Sequence, residues 1–311
     1  MTYSGFVPNR DPDTLIVLDE ALPDLEAAPD AVVIGVEAYS LNRGELFLLQ
    51  GPERPGWRPG ADVAGRVVRA AADGSGPAVG EWVVGHAPHG GWAEQVVVPV
   101  DAVAELPEAV GVEAAATLGV ASLTALRLLR RAGDVAGAEI LLTGAAGGLG
   151  HFLVELAAAR GARVTAVTRN AERGERLLAL GATAVVASVE EATGPFDLLL
   201  ESVGGPSLTA GLARLRGGGL ALWFGRAGSE TTTLDWGALQ SGDGPPAAIV
   251  PFSYWRTGAS DAVDLATLAR LVAEDRLHPE IGVVEDWRRT PEVLRAVRDR
   301  QVRGNAVLRV A

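Results

Sequence analysis

The chain has 311 residues, 48% hydrophobic and 21% charged, and its 39 acidic against 27 basic side chains leave a formal charge of -12 at pH 7. That acid surplus excludes the basic footprint of a duplex nucleic-acid binder, and the length leaves room for two ordinary domains. There is no cysteine and every basic residue is arginine, which excludes a disulfide, a thiolate nucleophile, a cysteine zinc site, a Walker-type lysine, a Schiff base and a Tyr-x-x-x-Lys proton relay.

The first residues, Met1 to Gly5, lack the basic start and apolar stretch of a signal peptide. No apolar run reaches the roughly 18 residues that span a bilayer, so a cytoplasmic protein with no membrane or nucleic-acid partner is expected. Short β-branched runs at 31–38, 62–69, 81–85 and 92–98 are punctuated by Gly and Pro. They predict a β-rich, barrel-like domain over 1–112. From 113 the period changes to a helix at 114–131, followed by alternating strands and helices to 252. Strands are expected at 139–143, 163–168, 184–187, 197–201, 220–224 and 247–252, with helices at 151–160, 171–180 and 208–216. This alternation implies parallel βαβ units in a doubly wound α/β sheet. A last helix near 261–274 and strands at 281–285 and 306–310 make 253–311 a return to the first domain.

The segment Thr143-Gly144-Ala145-Ala146-Gly147-Gly148-Leu149-Gly150 lies between an apolar strand and an apolar helix. There Ala145-x-Gly147-x-x-Gly150 reads as a dinucleotide fingerprint with alanine at its first position. Gly144 or Ala145 makes the tight turn, Gly147 admits a pyrophosphate to backbone N–H groups, and Gly150 lets helix and strand pack closely. The helix N-terminus adds partial positive charge.

An NAD site normally ends its second strand with Asp or Glu on the ribose hydroxyl. Here that strand ends in Thr168-Arg169-Asn170, with Arg173 a turn later. Two guanidiniums suit a 2′-phosphate, so NADPH is the expected cofactor, unless both arginines are ordinary surface charges.

These features, with 38–45, 59–65, 90–96, 118–125, Leu180-Gly-Ala182, Glu201-Ser-Val-Gly-Gly205 and Gly304-Asn-Ala-Val-Leu308, run through nearly the whole chain. The sequence resembles the zinc-independent quinone oxidoreductase branch of the medium-chain dehydrogenase/reductase superfamily. The resemblance implies a GroES-like catalytic domain, split in sequence, flanking a Rossmann domain, with the cleft between them and a homodimer as the assembly. It implies that Asn42 faces the nicotinamide and that Thr124 contacts the cofactor, and it adds Val203 and Asn305 to the cofactor contacts. Position along the Rossmann strands adds Phe224, Gly225 and Phe252.

Each residue has a plainer reading beside that one. Asn42-x-x-Glu45 also spells an N-cap and capping box, and Thr124 also suits a helix Thr bonded back to a carbonyl. Asp62 reads as a structural carboxylate. Tyr39 and Tyr254 are the phenols available as proton donors, and either also suits a core. The relatives' Tyr after the Asn-containing helix is replaced here by Gln50-Gly-Pro-Glu-Arg54. Phe47, Trp57 and Trp255 are candidates for an apolar wall. His86-x-x-His89 has ligand-like spacing but no third ligand nearby, so no metal is expected.

Without zinc or a Tyr–Lys pair, oxidising an unactivated alcohol is unfavourable. An electrophilic acceptor needs only hydrogen-bond stabilisation of the developing enolate and a proton from water or one side chain. The expected reaction is NADPH-dependent reduction of a quinone or conjugated enone. The alternatives are an enoyl reductase acting on a polyketide or acyl-thioester intermediate, and a non-catalytic NADPH-binding protein.

Overall fold

The computed structural model describes residues 2–9, 11, 13–234 and 246–310. In chain order the elements are β1 (Tyr3–Pro8), β2 (Ile16–Leu22), β3 (Ala31–Leu41), α1 (Arg43–Leu49), β4 (Asp62–Arg69), β5 (Trp82–His86), β6 (Gln95–Pro99), β7 (Val103–Glu105), α2 (Val112–Ala115) and α3 (Val120–Ala132). Then follow β8 (Glu139–Leu142), α4 (Gly148–Ala158), β9 (Arg163–Val167), α5 (Gly174–Ala179), β10 (Ala184–Val186), β11 (Phe196–Glu201), α6 (Pro206–Leu212), β12 (Leu215–Trp223) and β13 (Ala248–Pro251). The last are α7 (Asp261–Ala273), β14 (Ile281–Asp286), α8 (Thr290–Arg298) and β15 (Asn305–Arg309).

Two compact units divide the chain, one of Met1–Leu123 with Gly258–Ala311 and one of Thr124–Thr257. The first is the β-rich, GroES-like unit, with strand order β14-β15-β3-β4-β5-β7 and β6 added on β3. β3 organises it. Along one edge its residues 31–35 pair with β6 and 38–41 with β15, while β4 runs along the other. Side chains on both faces of β3 are buried over most of its length, and 31–41 accordingly reads as a nearly continuous apolar run rather than an alternation. Its core gathers Phe6, Tyr39, Trp92 and Trp287. Phe6 meets Trp287 edge-on at 5.8 Å and Tyr39 stacks on Trp92 at 6.1 Å.

The second unit is a six-stranded sheet of order β10-β9-β8-β11-β12-β13, with every neighbouring pair parallel. Counted from β8 this is 3-2-1-4-5-6, the doubly wound Rossmann order. The order reverses between β8 and β11, the switch point at which sheets of this kind bind ligands beyond the carboxyl ends of their strands.

Four local expectations differ from the structure. The single helix expected over 114–131 is two, α2 and α3, separated by a turn at 116–119. β1 and β2 pair antiparallel near the N-terminus, where no strand was expected from a segment dense in Asp and Pro. The helix expected over 208–216 stops at Leu212, because Leu215 is drawn into the ladder opposite Phe196. The helix at 261–274 is not the last. α8 follows it, its short apolar stripe of Val293 and Leu294 obscured in the sequence by arginines. No helix among the described residues is long and apolar enough to cross a membrane.

Candidate active site

The turn after β8 has the geometry that its glycines require. Gly144 takes φ +64, and a Cβ there would lie 2.3 Å from Ser202 Oγ, so Gly144 rather than Ala145 makes the tight turn. Ala145 is buried, and its N–H donates to Val167 O at 3.2 Å, tying the turn to the end of β9. Gly150 packs against the turn so closely that a Cβ would come within 2.2 Å of Ala145 O. Gly147, the N-cap of α4, is different. An added Cβ would meet only Gly144 O, at 3.5 Å, an ordinary contact. No close contact within the polypeptide requires glycine there, and the first N–H groups of the helix that Gly147 caps have no intrahelical acceptor. Gly144 and Gly147 are exposed, Gly148 and Leu149 are half-buried, and Ala146 is buried.

The neighbouring strand ends complete this edge. Ser202 N–H donates to Thr143 Oγ1 at 3.0 Å and Ser202 Oγ donates to Thr143 O at 2.9 Å, clamping β8 to β11 at the switch point. Glu201 is fully buried and accepts from the N–H groups of Val203 (2.6 Å) and Gly204 (2.9 Å). Burial raises its pKa above the usual carboxylate value against these donors. Thr168 is buried after β9 with its N–H on Val186 O, Arg169 beside it is exposed, and Arg173 is half-buried. Phe224 follows β12, donating its N–H to Glu201 O at 2.9 Å, and a Cβ on Gly225 would lie 2.5 Å from Ser202 O. Phe252 follows β13 with its N–H on Trp223 O at 2.8 Å. One edge of the sheet thus collects Gly144 to Leu149, Thr168, Arg169, Val203, Phe224, Gly225 and Phe252.

Tyr254 lies in a short 3-10 turn just beyond. Its ring is edge-on to Trp255 at 5.2 Å, and its carbonyl accepts from Arg127. Thr124 is buried on α3.

The remaining candidates lie in the GroES-like unit. Asn42 is the N-cap of α1, and the Glu45 carboxylate reaches back to its N–H at 2.8 Å, as a capping box requires. Glu45 also accepts from the N–H groups of Gly60 and Ala61, at 2.9 and 3.1 Å. It is buried, and loss of solvent pushes its pKa up to about 8. Asn42 Nδ2 donates to Asp62 Oδ2 at 2.7 Å. Asp62 is buried too, which raises its pKa in spite of His86 and its hydrogen-bond donors.

Tyr39, offered above as a proton donor, is a core residue instead. It has no exposed surface, its hydroxyl is hydrogen-bonded to Thr290 Oγ1 at 2.6 Å, and burial holds its pKa above the ordinary phenol value. Asn305 starts β15, and its amide donates to Glu280 O at 3.0 Å, tying β15 to the residue before β14. Trp57 lines a cavity of about 610 Å³ with Tyr3, Leu22, Leu25 and Arg58, Phe47 is half-buried, and Trp255 is exposed. His86 Nδ1 lies 2.6 Å from Asp261 Oδ2. Glu201 and Ser202 were seen only as part of a motif, because their roles depend on Thr143, 59 residues earlier.

Two family models match the chain, the alcohol dehydrogenase GroES-like domain over residues 28–108 and the zinc-binding dehydrogenase over 148–241. Among curated relatives, acrylyl-CoA reductase of Ruegeria pomeroyi is 30% identical over 210 residues, covering 62% of this chain and 60% of that protein. A chloroplast envelope quinone oxidoreductase homolog of Arabidopsis thaliana is 36% identical over 170 residues, covering 50% and 51%. The aligned part thus spans between half and three-fifths of these two relatives. Among solved structures, Escherichia coli quinone oxidoreductase complexed with NADPH superposes with a TM-score of 0.87 over 99% of this chain and 100% of that one, at 20% identity. The two parts of the chain thus match dehydrogenase domain models, and its fold is that of the quinone oxidoreductase structures.

The zinc in the second model's name finds no matching donor set here. The chain has no cysteine, and no group of three or more His, Asp or Glu placed to hold a metal occurs among the described residues.

Two measurements follow from this geometry. Tyr39→Phe should lower stability by about 1–2 kcal/mol, since it leaves the buried Thr290 hydroxyl short of a partner, and should leave turnover unchanged; thermal melting and steady-state rates read both. For Glu45, the folded pKa lies above the unfolded value, so the native chain holds the proton longer. Its stabilising contribution is complete below the unfolded value of 4.5 and is lost as pH rises toward about 8. Glu45→Gln should flatten that part of the melting-temperature profile.

Proposed function

We propose that the chain is a zinc-independent, NADPH-dependent reductase that delivers hydride to a quinone or conjugated enone. The observation that carries the cofactor is Gly147, a glycine at the positive end of α4 that no close contact within the polypeptide requires. Gly144 to Leu149 are the residues to hold the pyrophosphate through backbone N–H groups. Arg169, with Thr168 and Arg173, supports a 2′-phosphate. Val203, Phe224, Gly225 and Phe252, from the ends of β11, β12 and β13, are assigned to the nicotinamide half, and Thr124 and Asn305 keep the contacts that the resemblance implies. When bound, NADPH supplies the hydride and an already electrophilic acceptor takes it.

The chain's own contribution is to bind, orient and donate hydrogen bonds. Asn42 is assigned to the reacting end as a hydrogen-bond donor to the oxygen that gains charge. Tyr254, partly exposed, is the phenol left as a proton donor once Tyr39 is set in the core, with water as its competitor. The homodimer belongs to the same proposal and rests on the resemblance. A second reading, reduction of an enoyl thioester, is favoured by the acrylyl-CoA reductase relative.

The test is NADPH oxidation across quinones, enones and enoyl thioesters. Turnover of quinones or enones is expected. Activity confined to enoyl thioesters would select the second reading, and tight NADPH binding with no turnover would leave a binding protein. Replacing Arg169 by Ala should weaken NADPH about tenfold or more, as loss of a charge-assisted phosphate contact does, and leave NADH unchanged. Equal loss for both nucleotides in binding titrations would remove Arg169 from the 2′-phosphate site.

A further inference from the structure

Asp62 is 1% exposed at the start of β4, and the proposed reaction makes no direct use of it. Its Oδ2 accepts from Ser40 Oγ at 2.8 Å and from Asn42 Nδ2 at 2.7 Å. Its Oδ1 accepts from the backbone N–H of Val120, the first residue of α3, at 2.7 Å. The fit is tight. A Cβ on Gly119 would lie 1.9 Å from Oδ1, so the carboxylate reaches Val120 only because position 119 has no side chain. One buried group therefore joins the end of β3, the entry to α1 and the entry to α3.

The polarity of this arrangement matters. An ionised carboxylate only accepts, and an amide has a donating and an accepting end. With Asp62 on one side, it is the Asn42 nitrogen that faces the carboxylate, while the Glu45 N–H is taken by the Asn42 backbone carbonyl at 3.1 Å. One of the two Nδ2–H bonds is given to Asp62. The other has no partner among the described residues.

We propose that Asp62 is a positioning residue that acts through Asn42. It holds the amide so that an N–H, and not the carbonyl oxygen, is what Asn42 presents to the reacting end. This rests on the reading of Asn42 given above. It adds that the contact is a donor whose sense is set by Asp62, so Asn42 stabilises an acceptor oxygen gaining negative charge.

Asp62→Asn tests it at nearly constant shape. If the new side chain keeps its oxygen on Val120, its NH2 confronts the Asn42 NH2 and turns that amide over. Expected is a fall in kcat of about tenfold with the NADPH dissociation constant and melting temperature little changed, and no further loss when Asp62→Asn is added to Asn42→Ala. A merely structural Asp62 predicts the opposite: a lowered melting temperature, weakened NADPH binding and losses that multiply in the double variant. Either that pattern or an unchanged kcat overturns the proposal. Should Asp62→Asn fail to fold, Ser40→Ala removes one donor from Oδ2 while keeping the charge. A fall in kcat of about two- to fivefold that disappears in the Asn42→Ala background is then expected, and an equal fall in both backgrounds, or none, overturns the proposal. A wild-type protein that turns over no acceptor overturns the functional reading and this proposal with it, whereas an active wild type with an indifferent Asp62→Asn overturns this proposal alone.

Discussion

Where parallel strands end, the backbone runs out of partners: the last carbonyls of each strand and the first N–H groups of the following helix lie on the same edge. In the Rossmann unit this edge is at the ends of β8 and β11, and its unsatisfied groups are dealt with in two ways. Thr143 and Ser202 exchange side-chain and backbone hydrogen bonds, and Glu201 collects the N–H groups of Val203 and Gly204. The first N–H groups of α4, beside Gly147, instead have no intrahelical acceptor. The two neighbouring loops differ in this: one is closed by protein groups, and the other begins a helix whose first donors are not used within it.

Buried carboxylates repeat this logic across the chain. Desolvating a charge is costly unless donors replace the water, and Glu45, Asp62 and Glu201 are each met by several. Two of them tie together segments that are separate in sequence, and the third closes a local turn. Glu45 links α1 to the loop before β4, Asp62 links β3, α1 and α3, and Glu201 shapes the turn that carries Val203. Their raised pKa values express the tension between burial and donation.

How much was legible depended on whether a feature was local. The Gly144–Gly150 turn could be read because the strand, turn and helix needed to interpret it are contiguous. Asn42 and Glu45 could be read as a capping box because their spacing of three is itself the signal. The doubly wound parallel class followed from the alternation of strands and helices, while the strand order came from the fold. Tyr39 could not be placed from sequence. A phenol on a strand is equally suited to a cleft or a core, and the choice came from Thr290 and Trp92, which are distant in the chain. The β1–β2 pair escaped because its apolar pattern is weak and its stability comes from packing, and α8 was missed although its apolar and charged residues lie on opposite faces, its stripe being short.

The sequence by itself determined the class of chemistry. The glycine turn, the arginine at the end of β9, and the absence of Cys and Lys are statements about which atoms exist and how far apart they lie along a strand or turn. The tertiary structure alone decided which polar groups are engaged and in which sense. It showed that Gly144 and not Ala145 makes the turn, that Tyr39 is withdrawn into the core, and that Asn42 directs its nitrogen toward a buried carboxylate twenty residues away. The physical reason is that hydrogen-bond polarity and burial depend on neighbours brought together only by folding, while turn geometry and donor chemistry are carried by the residues themselves.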